Sequence, residues 1–168
     1  LSMSSKDVLK LMKDKEIEFV DFRFTDPKGK LQHLTMDATI VDDQMLEEGV
    51  FFDGSSIAGW KAINESDMIL RPDLARPIVD PFNSHNTINI FCDILDAVKK
   101  EPYERDPRGT AKKAEEYLKK LGIGDKAYFG PEPEFFTFDD VRFENKMNTS
   151  NFFIDSSEGP YNSGKKYE

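Results

Sequence analysis

Two glutamates, Glu132 and Glu134, are set two positions apart in the segment Gly130-Pro131-Glu132-Pro133-Glu134-Phe135-Phe136. In an extended chain, residues i and i+2 point to the same face, which places these carboxylates about 6 to 7 Å apart along the chain. Both prolines lack an N–H donor, so we expect an edge strand or a stiff extended stretch. Two oxygen ligands on one face predict a site for Mg²⁺ or Mn²⁺.

The spacing of Glu132 and Glu134 also has interpretations other than a metal site. Buried carboxylates without a cation are unfavourable, so a pair of acids among phenylalanines must bind a cation or lie at the surface. An edge strand whose glutamates simply face water therefore fits the bare motif too. A glycosidase with Glu132 and Glu134 as acid and base fails, because acids on the same face of one strand do not flank a bond from opposite sides.

A second polar segment is Phe51-Phe52-Asp53-Gly54-Ser55-Ser56-Ile57-Ala58-Gly59-Trp60. Its glycines permit tight turns, so a carboxylate, two hydroxyls and the single tryptophan could be displayed on one loop as part of a binding site. Taken alone, the segment favours a capped turn, in which Asp53 and the serines satisfy local backbone donors and Trp60 anchors the loop to the core.

Composition limits the classes of function. The 168 residues include 32 acidic and 23 basic ones, for a formal net charge of −9, which disfavours nucleic acid or an anionic membrane as the partner and favours cations. Cys92, the single cysteine, lies in an apolar run, so we expect a buried side chain and a reducing, cytoplasmic location. His33 and His85 have no second His or Cys at metal spacing and are expected at the surface or hydrogen-bonded.

Turn signals and periodicity predict the elements that position these residues. The predicted helices begin at Ser4 or Ser5, at Asp42 or Asp43 and after Asp106, and end near Lys15, at Gly49 and before Gly122. The predicted strands are Phe19 to Phe24, Leu31 to Met36, Met68 to Arg71, Pro77 to Val79, Thr87 to Ile94, a run through Phe138, and Asn151 to Ile154. The first five predict a mixed sheet of about four or five strands. The last two open a second sheet, against which the apolar face of the third helix is expected to pack.

Six segments, in order, resemble the N-terminal part of type I glutamine synthetases of bacteria and archaea. They are Val20-Asp21-Phe22-Arg23-Phe24-Thr25-Asp26, Phe52-Asp53-Gly54-Ser55-Ser56-Ile57, Asn64-Glu65-Ser66-Asp67-Met68, Asp80-Pro81-Phe82, Arg105-Asp106-Pro107-Arg108 and Phe129 to Phe136. The resemblance implies an α+β fold, with a β-grasp-like N-terminal domain followed by the first helix and strands of an incomplete α/β catalytic domain. We assign residues 1–15 to a tag remnant and the N-terminal helix, 16–100 to the β-grasp domain and 101–168 to the beginning of the catalytic domain.

The resemblance also implies an activity, the ATP-dependent ligation of ammonia to the γ-carboxylate of L-glutamate through γ-glutamyl phosphate. By this analogy Glu132 binds the Mg²⁺ or Mn²⁺ ion that holds the ATP phosphates, and Glu134 binds the ion on the glutamate side. Asp53 binds ammonium and helps to remove its proton, acting in the neighbouring subunit's site. Ser56 and Trp60 line the same loop.

The family resemblance further implies a dodecamer of two hexameric rings in the cytoplasm, with no nucleic-acid or membrane partner. Such enzymes continue for several hundred residues that carry the remaining ligands, so we expect this chain alone to be inactive and to bind metal weakly. An alternative of another class is a noncatalytic β-grasp binding or assembly module. The Pro-Glu-Pro-Glu segment argues against it, because a pure adaptor does not need that pair of acids.

Overall fold

The computed structural model describes residues 2–57, 59 and 66–167, which form two compact units. The first unit extends to Ala127 and the second begins at Tyr128. No helix in the described residues combines the length and the apolarity that crossing a bilayer requires. The domain limits expected from the sequence stay predictions.

The first unit contains both helices and strands. Its α-helices are α1 (Ser5–Asp14), α2 (Asp43–Glu48) and α3 (Pro107–Leu121). Its strands are β1 (Phe19–Thr25), β2 (Leu31–Asp37), β3 (Val50–Asp53), β4 (Asp67–Pro72), β5 (Ile78–Val79) and β6 (Thr87–Asp96). The three predicted helices and the five predicted strands of this region are confirmed. The sequence prediction was wrong in one respect, since it omitted β3, whose four residues are too few for an alternation pattern to stand out.

The strands of the first unit form one mixed sheet in the order β2-β1-β6-β4-β3, and β5 pairs with β6. The central pair β1 and β6 is parallel, and the other pairs are antiparallel. With β3 included, the described sheet has six strands rather than the predicted four or five. Because β3 is the edge strand opposite β2, the loop that follows Asp53 emerges at one border of the sheet.

One face of this sheet carries the core. Alternate residues of β1 and β6 are buried on that face, and α1 and α2 contribute apolar side chains to the same cluster. Its members include Val8, Met12, Val20, Phe22, Leu46, Leu70, Ile88, Ile90, Cys92 and Ile94. Cys92 is buried, as predicted, and burial raises the pKa of its thiol. The core thus fixes the sheet that carries Asp53 at the end of β3.

The other face of the sheet holds a polar cluster around Asp21. This aspartate is 4% exposed and accepts hydrogen bonds from Arg23 Nε, His33 Nδ1 and Thr35 Oγ1, each at 2.7 Å. Burial acts to raise the pKa of Asp21, but these hydrogen bonds outweigh it and the pKa lies below its ordinary value. His33 is therefore hydrogen-bonded, as predicted, and His85 lies near Glu18, with 3.3 Å between Nδ1 and Oε2.

Asp21→Asn is expected to lower the free energy of unfolding of the first unit by about 1 kcal/mol at pH 7, because charge-assisted hydrogen bonds are lost. A lowered pKa means that the unfolded chain takes up the proton first. The contribution of Asp21 to the free energy of unfolding of the wild type is therefore fully present above about pH 4, and it decreases as the pH falls through the folded-state pKa. Urea titrations followed by NMR of β1 and β2 check this. A difference between wild type and variant that persists undiminished at pH 2 contradicts it.

Helix α3 is held to the sheet by charged residues. Asp106 caps its first turn and is buried, and its Oδ2 accepts a hydrogen bond from the backbone N–H of Ile94 at 3.1 Å. Arg108 Nε donates to Asp93 Oδ1 at 3.0 Å, and Arg108 also pairs with Asp73. These contacts fix the start of the helix on β6 and on the residue that follows β4.

The expected packing of the apolar face of α3 against a second sheet stays a prediction, because α3 and the strands β7 and β8 belong to different units. Tyr117 and Leu121 are 59% and 50% exposed, and Ala111 and Ala114 are also exposed. The face is amphipathic in sequence, but periodicity identifies only an apolar stripe and does not identify what covers it.

The second unit is built on an antiparallel hairpin of β7 (Asp140–Lys146) and β8 (Thr149–Asp155). The strand predicted at Asn151 to Ile154 is confirmed within β8, but the strand predicted through Phe138 is wrong. Segment 129–138 pairs with no strand in the described residues, and two of its residues are prolines, which have no N–H to donate to a neighbouring strand.

The segment after β8 is tied to it by Asp155. This carboxylate accepts hydrogen bonds from the hydroxyl and the backbone N–H of Ser163 and from Tyr167 Oη, the last at 2.6 Å. The Ser163 hydroxyl and the other donors lower the pKa of Asp155 to about 2. Asp155 is thus an ionised anchor at neutral pH.

Candidate functional site

Asp53 is the last residue of β3 and begins a 3₁₀ turn at Gly54–Ser56. It is opposite Asp67 in the β3–β4 register. Gly54 is buried, and an added Cβ would clash with the Met68 side chain and lie 2.9 Å from the Ser66 carbonyl oxygen. A side chain at position 54 therefore has no room, and the turn lies tightly against β4.

The Asp53 carboxylate is exposed but held on one side. Its Oδ1 accepts hydrogen bonds from the backbone N–H of Ser55 at 2.9 Å and from Ser55 Oγ at 2.6 Å. The Ser55 hydroxyl, the Ser55 N–H and the Ser66 side chain lower the pKa of Asp53. The segment thus forms the expected capped turn and, at the same time, presents an ionised carboxylate to solvent.

Of the other two residues predicted on this loop, Ser56 and Trp60, the structure describes only Ser56. Ser56 is exposed, and within the described residues no hydrogen bond joins it to Asp53. Trp60 lies outside the described residues. Further along the segment, Arg105 Nη1 donates a hydrogen bond to the Gly59 carbonyl oxygen at 2.9 Å. This contact ties the loop to the segment that leads into α3.

Glu132 and Glu134 lie in the second unit, in a segment without a strand partner, and both are exposed. Carboxylate oxygens are the ligands that Mg²⁺ and Mn²⁺ prefer, so the donor type and the access fit a divalent ion. The number of donors is too small, since the described residues contain no group of three His, Cys, Asp or Glu side chains placed to hold a metal. Two carboxylates therefore offer only part of a coordination sphere.

Sequence reasoning missed two features of these surfaces. One is the hydroxyl that holds Asp53, which belongs to Ser55, whereas the sequence singled out Ser56 as a residue that lines the loop. The other is a groove of about 410 Å³ lined by both histidines, Phe19, Leu31 and Asn83. The groove lies at the β2 side of the sheet, whereas Asp53 lies at the opposite border on β3, so the groove contains none of the predicted site residues. Strand alternation was the available signal, because Asp21, His33 and Thr35 share the outer face.

Two family models match the chain in succession. Residues 16–97 match the glutamine synthetase β-grasp domain, and residues 104–168 match the glutamine synthetase catalytic domain. Together they cover most of the chain, in the order that the sequence motifs predict.

Curated relatives and solved structures agree with these models. A glutamine synthetase of Rhizobium meliloti is 58% identical over 165 residues, which are 98% of this chain and 35% of the relative. One of Vibrio cholerae is 51% identical over 166 residues, which are 99% of this chain and 35% of the relative. The cryo-EM structure of Plasmodium falciparum glutamine synthetase superposes with a TM-score of 0.67 and 25% identity over 92% of this chain and 30% of that one. The chain thus spans about a third of the length of the curated relatives that it matches.

Proposed function

The chain belongs to the glutamine synthetase family, and from this premise we propose that the full-length protein joins ammonia to the γ-carboxylate of L-glutamate at the expense of ATP. The γ-phosphoryl group of ATP passes to the glutamate carboxylate and leaves ADP. Ammonium then loses a proton, and ammonia displaces phosphate from γ-glutamyl phosphate to give glutamine. The observation that carries the proposal is the 58% identity to a glutamine synthetase across 98% of this chain.

In this proposal, the Asp53 carboxylate binds the ammonium ion. An exposed carboxylate that stays ionised attracts a small cation, and the Ser55 hydroxyl and N–H keep the pKa of Asp53 low. A carboxylate with a low pKa is a weak base, so its environment supports the binding of ammonium more strongly than the removal of its proton. Ser56 and Trp60 line the same loop in this proposal.

Glu132 and Glu134 are the proposed ligands of two Mg²⁺ or Mn²⁺ ions, Glu132 on the ATP side and Glu134 on the glutamate side. Such ions neutralise the negative charge of the phosphates during phosphoryl transfer. Mg²⁺ takes about six oxygen ligands, so one carboxylate for each ion leaves most positions to water, substrate and residues outside this chain. This shortfall supports the expectation that the 168-residue chain binds metal weakly.

The proposal includes assembly, because Asp53 would serve the site of a neighbouring subunit. We place the full-length protein in the cytoplasm as a dodecamer of two hexameric rings. Light scattering of the full-length protein measures its mass directly. A monomer that is fully active would overturn this part of the proposal.

The activity is tested by glutamine formation from glutamate, ammonium and ATP. The full-length protein is expected to make glutamine only with all three substrates and Mg²⁺ or Mn²⁺, and the 168-residue chain is expected to show no turnover. Turnover by the short chain, or a full-length protein without ligase activity, would contradict the proposal.

Glu132→Gln and Glu134→Gln in the full-length protein are each expected to weaken Mn²⁺ binding by at least about tenfold, since even residues behind metal ligands contribute that much. Isothermal titration with Mn²⁺ measures the effect independently of activity. Glu158→Gln is the matched control, because Glu158 is an exposed glutamate of the same unit. Equal affinities for all three variants would exclude the two glutamates as ligands.

A further inference from the structure

We propose that Ser55 is a positioning residue of the ammonium site, whose hydroxyl fixes the orientation of the Asp53 carboxylate. The inference rests on the proposed role of Asp53 and gives Ser55 a role that supports it. Ser55 acts through Asp53 and need not touch the substrate itself.

Both donors of Ser55, its N–H and its hydroxyl, form hydrogen bonds to the same oxygen of the Asp53 carboxylate. The Ser55 N–H and hydroxyl reach Asp53 Oδ1 at 2.9 Å and 2.6 Å, so that rotation of the carboxylate breaks both hydrogen bonds. An ionised carboxylate offers about four lone-pair positions. The contacts from Ser55 occupy one oxygen and leave acceptor capacity on the carboxylate for a cation.

The backbone beneath this pair is itself fixed. The Gly54 N–H donates to the Ser66 carbonyl oxygen at 2.7 Å, and the space around Gly54 admits no side chain. Ser55 is half-buried, whereas Ser56 is exposed. The turn therefore delivers the Ser55 hydroxyl to the carboxylate from a rigid support, as a supporting residue of a preorganised site must.

Removing the Ser55 hydroxyl is expected to change how firmly the Asp53 carboxylate is oriented without changing its charge. In Ser55→Ala the backbone N–H of residue 55 still donates to the Asp53 carboxylate, which keeps its charge at neutral pH. It loses the donor that contributes most to its low pKa and gains rotational freedom. The expected result is weaker binding of ammonium with little change in the chemical step, which is a rise in KM rather than a fall in kcat.

The first test uses the 168-residue chain and needs no activity. An NMR titration of the Asp53 carboxyl carbon is expected to show a higher pKa in Ser55→Ala and Ser55→Cys than in wild type, because Cys is a weak donor of similar size. Ser55→Thr is expected to retain the wild-type value. Ser56→Ala is the matched control and is expected to leave the Asp53 pKa unchanged. A Ser55→Ala titration that superposes on wild type would overturn the proposal.

The second test uses the full-length protein. Ser55→Ala is expected to raise the KM for ammonium by roughly threefold to tenfold, as the loss of one hydrogen bond of ordinary strength implies, with kcat nearly unchanged and Ser55→Thr restoring the KM. Asp53→Ala separates the two proposals. If Asp53→Ala is impaired but Ser55→Ala retains the wild-type KM, only the role of Ser55 fails. If Asp53→Ala is fully active, the role of Asp53 fails and the role of Ser55 fails with it.

Discussion

Asp53→Asn in the full-length protein is expected to lower kcat/KM for ammonium by about 10²-fold. Asparagine has the same shape, and its amide oxygen can still accept the two hydrogen bonds from Ser55, so the turn is retained. In the proposed role of Asp53, the variant lacks the negative charge that attracts ammonium and favours the loss of its proton. Steady-state glutamine formation at a series of ammonium concentrations measures the effect, and the KM for ATP is expected to stay unchanged.

Asp67→Asn is the matched control for this substitution. Asp67 is opposite Asp53 in the β3–β4 register and is also exposed, so both changes remove one charge from the same border of the sheet. An equal loss of activity in both variants would mean that general electrostatics, rather than the Asp53 carboxylate, determines the use of ammonium. Hydroxylamine, an acceptor that is largely uncharged at neutral pH, should be used by Asp53→Asn with a smaller loss than ammonium.

Local signals predicted most of the first unit because its helix and strand ends are set by local chemistry. Ser4, Asp42 and Asp106 accept hydrogen bonds from the first turns of α1, α2 and α3, and these caps are visible in sequence. Strand β3 was missed because four residues between a helix and a turn give no period. The packing of α3 against a second sheet stays a prediction, since periodicity identifies an apolar stripe and does not identify its partner.

The candidate site was predicted less completely, because its contacts depend on backbone geometry. The choice between Ser55 and Ser56 follows from the 3₁₀ turn, which brings the first hydroxyl onto the Asp53 carboxylate. The bond between Arg105 and Gly59 joins residues 46 positions apart, so no local pattern indicates it. The same-face placement of Glu132 and Glu134 needs an extended strand, and it stays a prediction because segment 129–138 has no strand partner in the described residues.

Asp106→Ala is expected to lower the free energy of unfolding of the first unit by about 2 to 4 kcal/mol. About 1 kcal/mol of this is the lost helix cap, since Asp106 Oδ1 accepts the Arg108 N–H at 3.0 Å. About 1 to 3 kcal/mol more arises because the N–H of Ile94, which now donates to Asp106 Oδ2, is left buried without an acceptor. Urea unfolding followed by far-UV circular dichroism, with amide exchange of α3 as the local probe, measures both effects.

Asp42→Ala separates these two contributions, because Asp42 caps α2 through the Met45 N–H at 2.8 Å but is exposed. Its loss should cost about 1 kcal/mol, as for an ordinary cap. The pH dependence gives an independent check. Burial raises the pKa of Asp106, so the folded state takes up this proton before the unfolded state does, and the Asp106 contribution to stability falls as the pH rises through the window above about pH 4. Asp106→Ala should abolish that slope. Equal losses for both variants at every pH would show that Asp106 acts as a helix cap alone and does not hold α3 to β6.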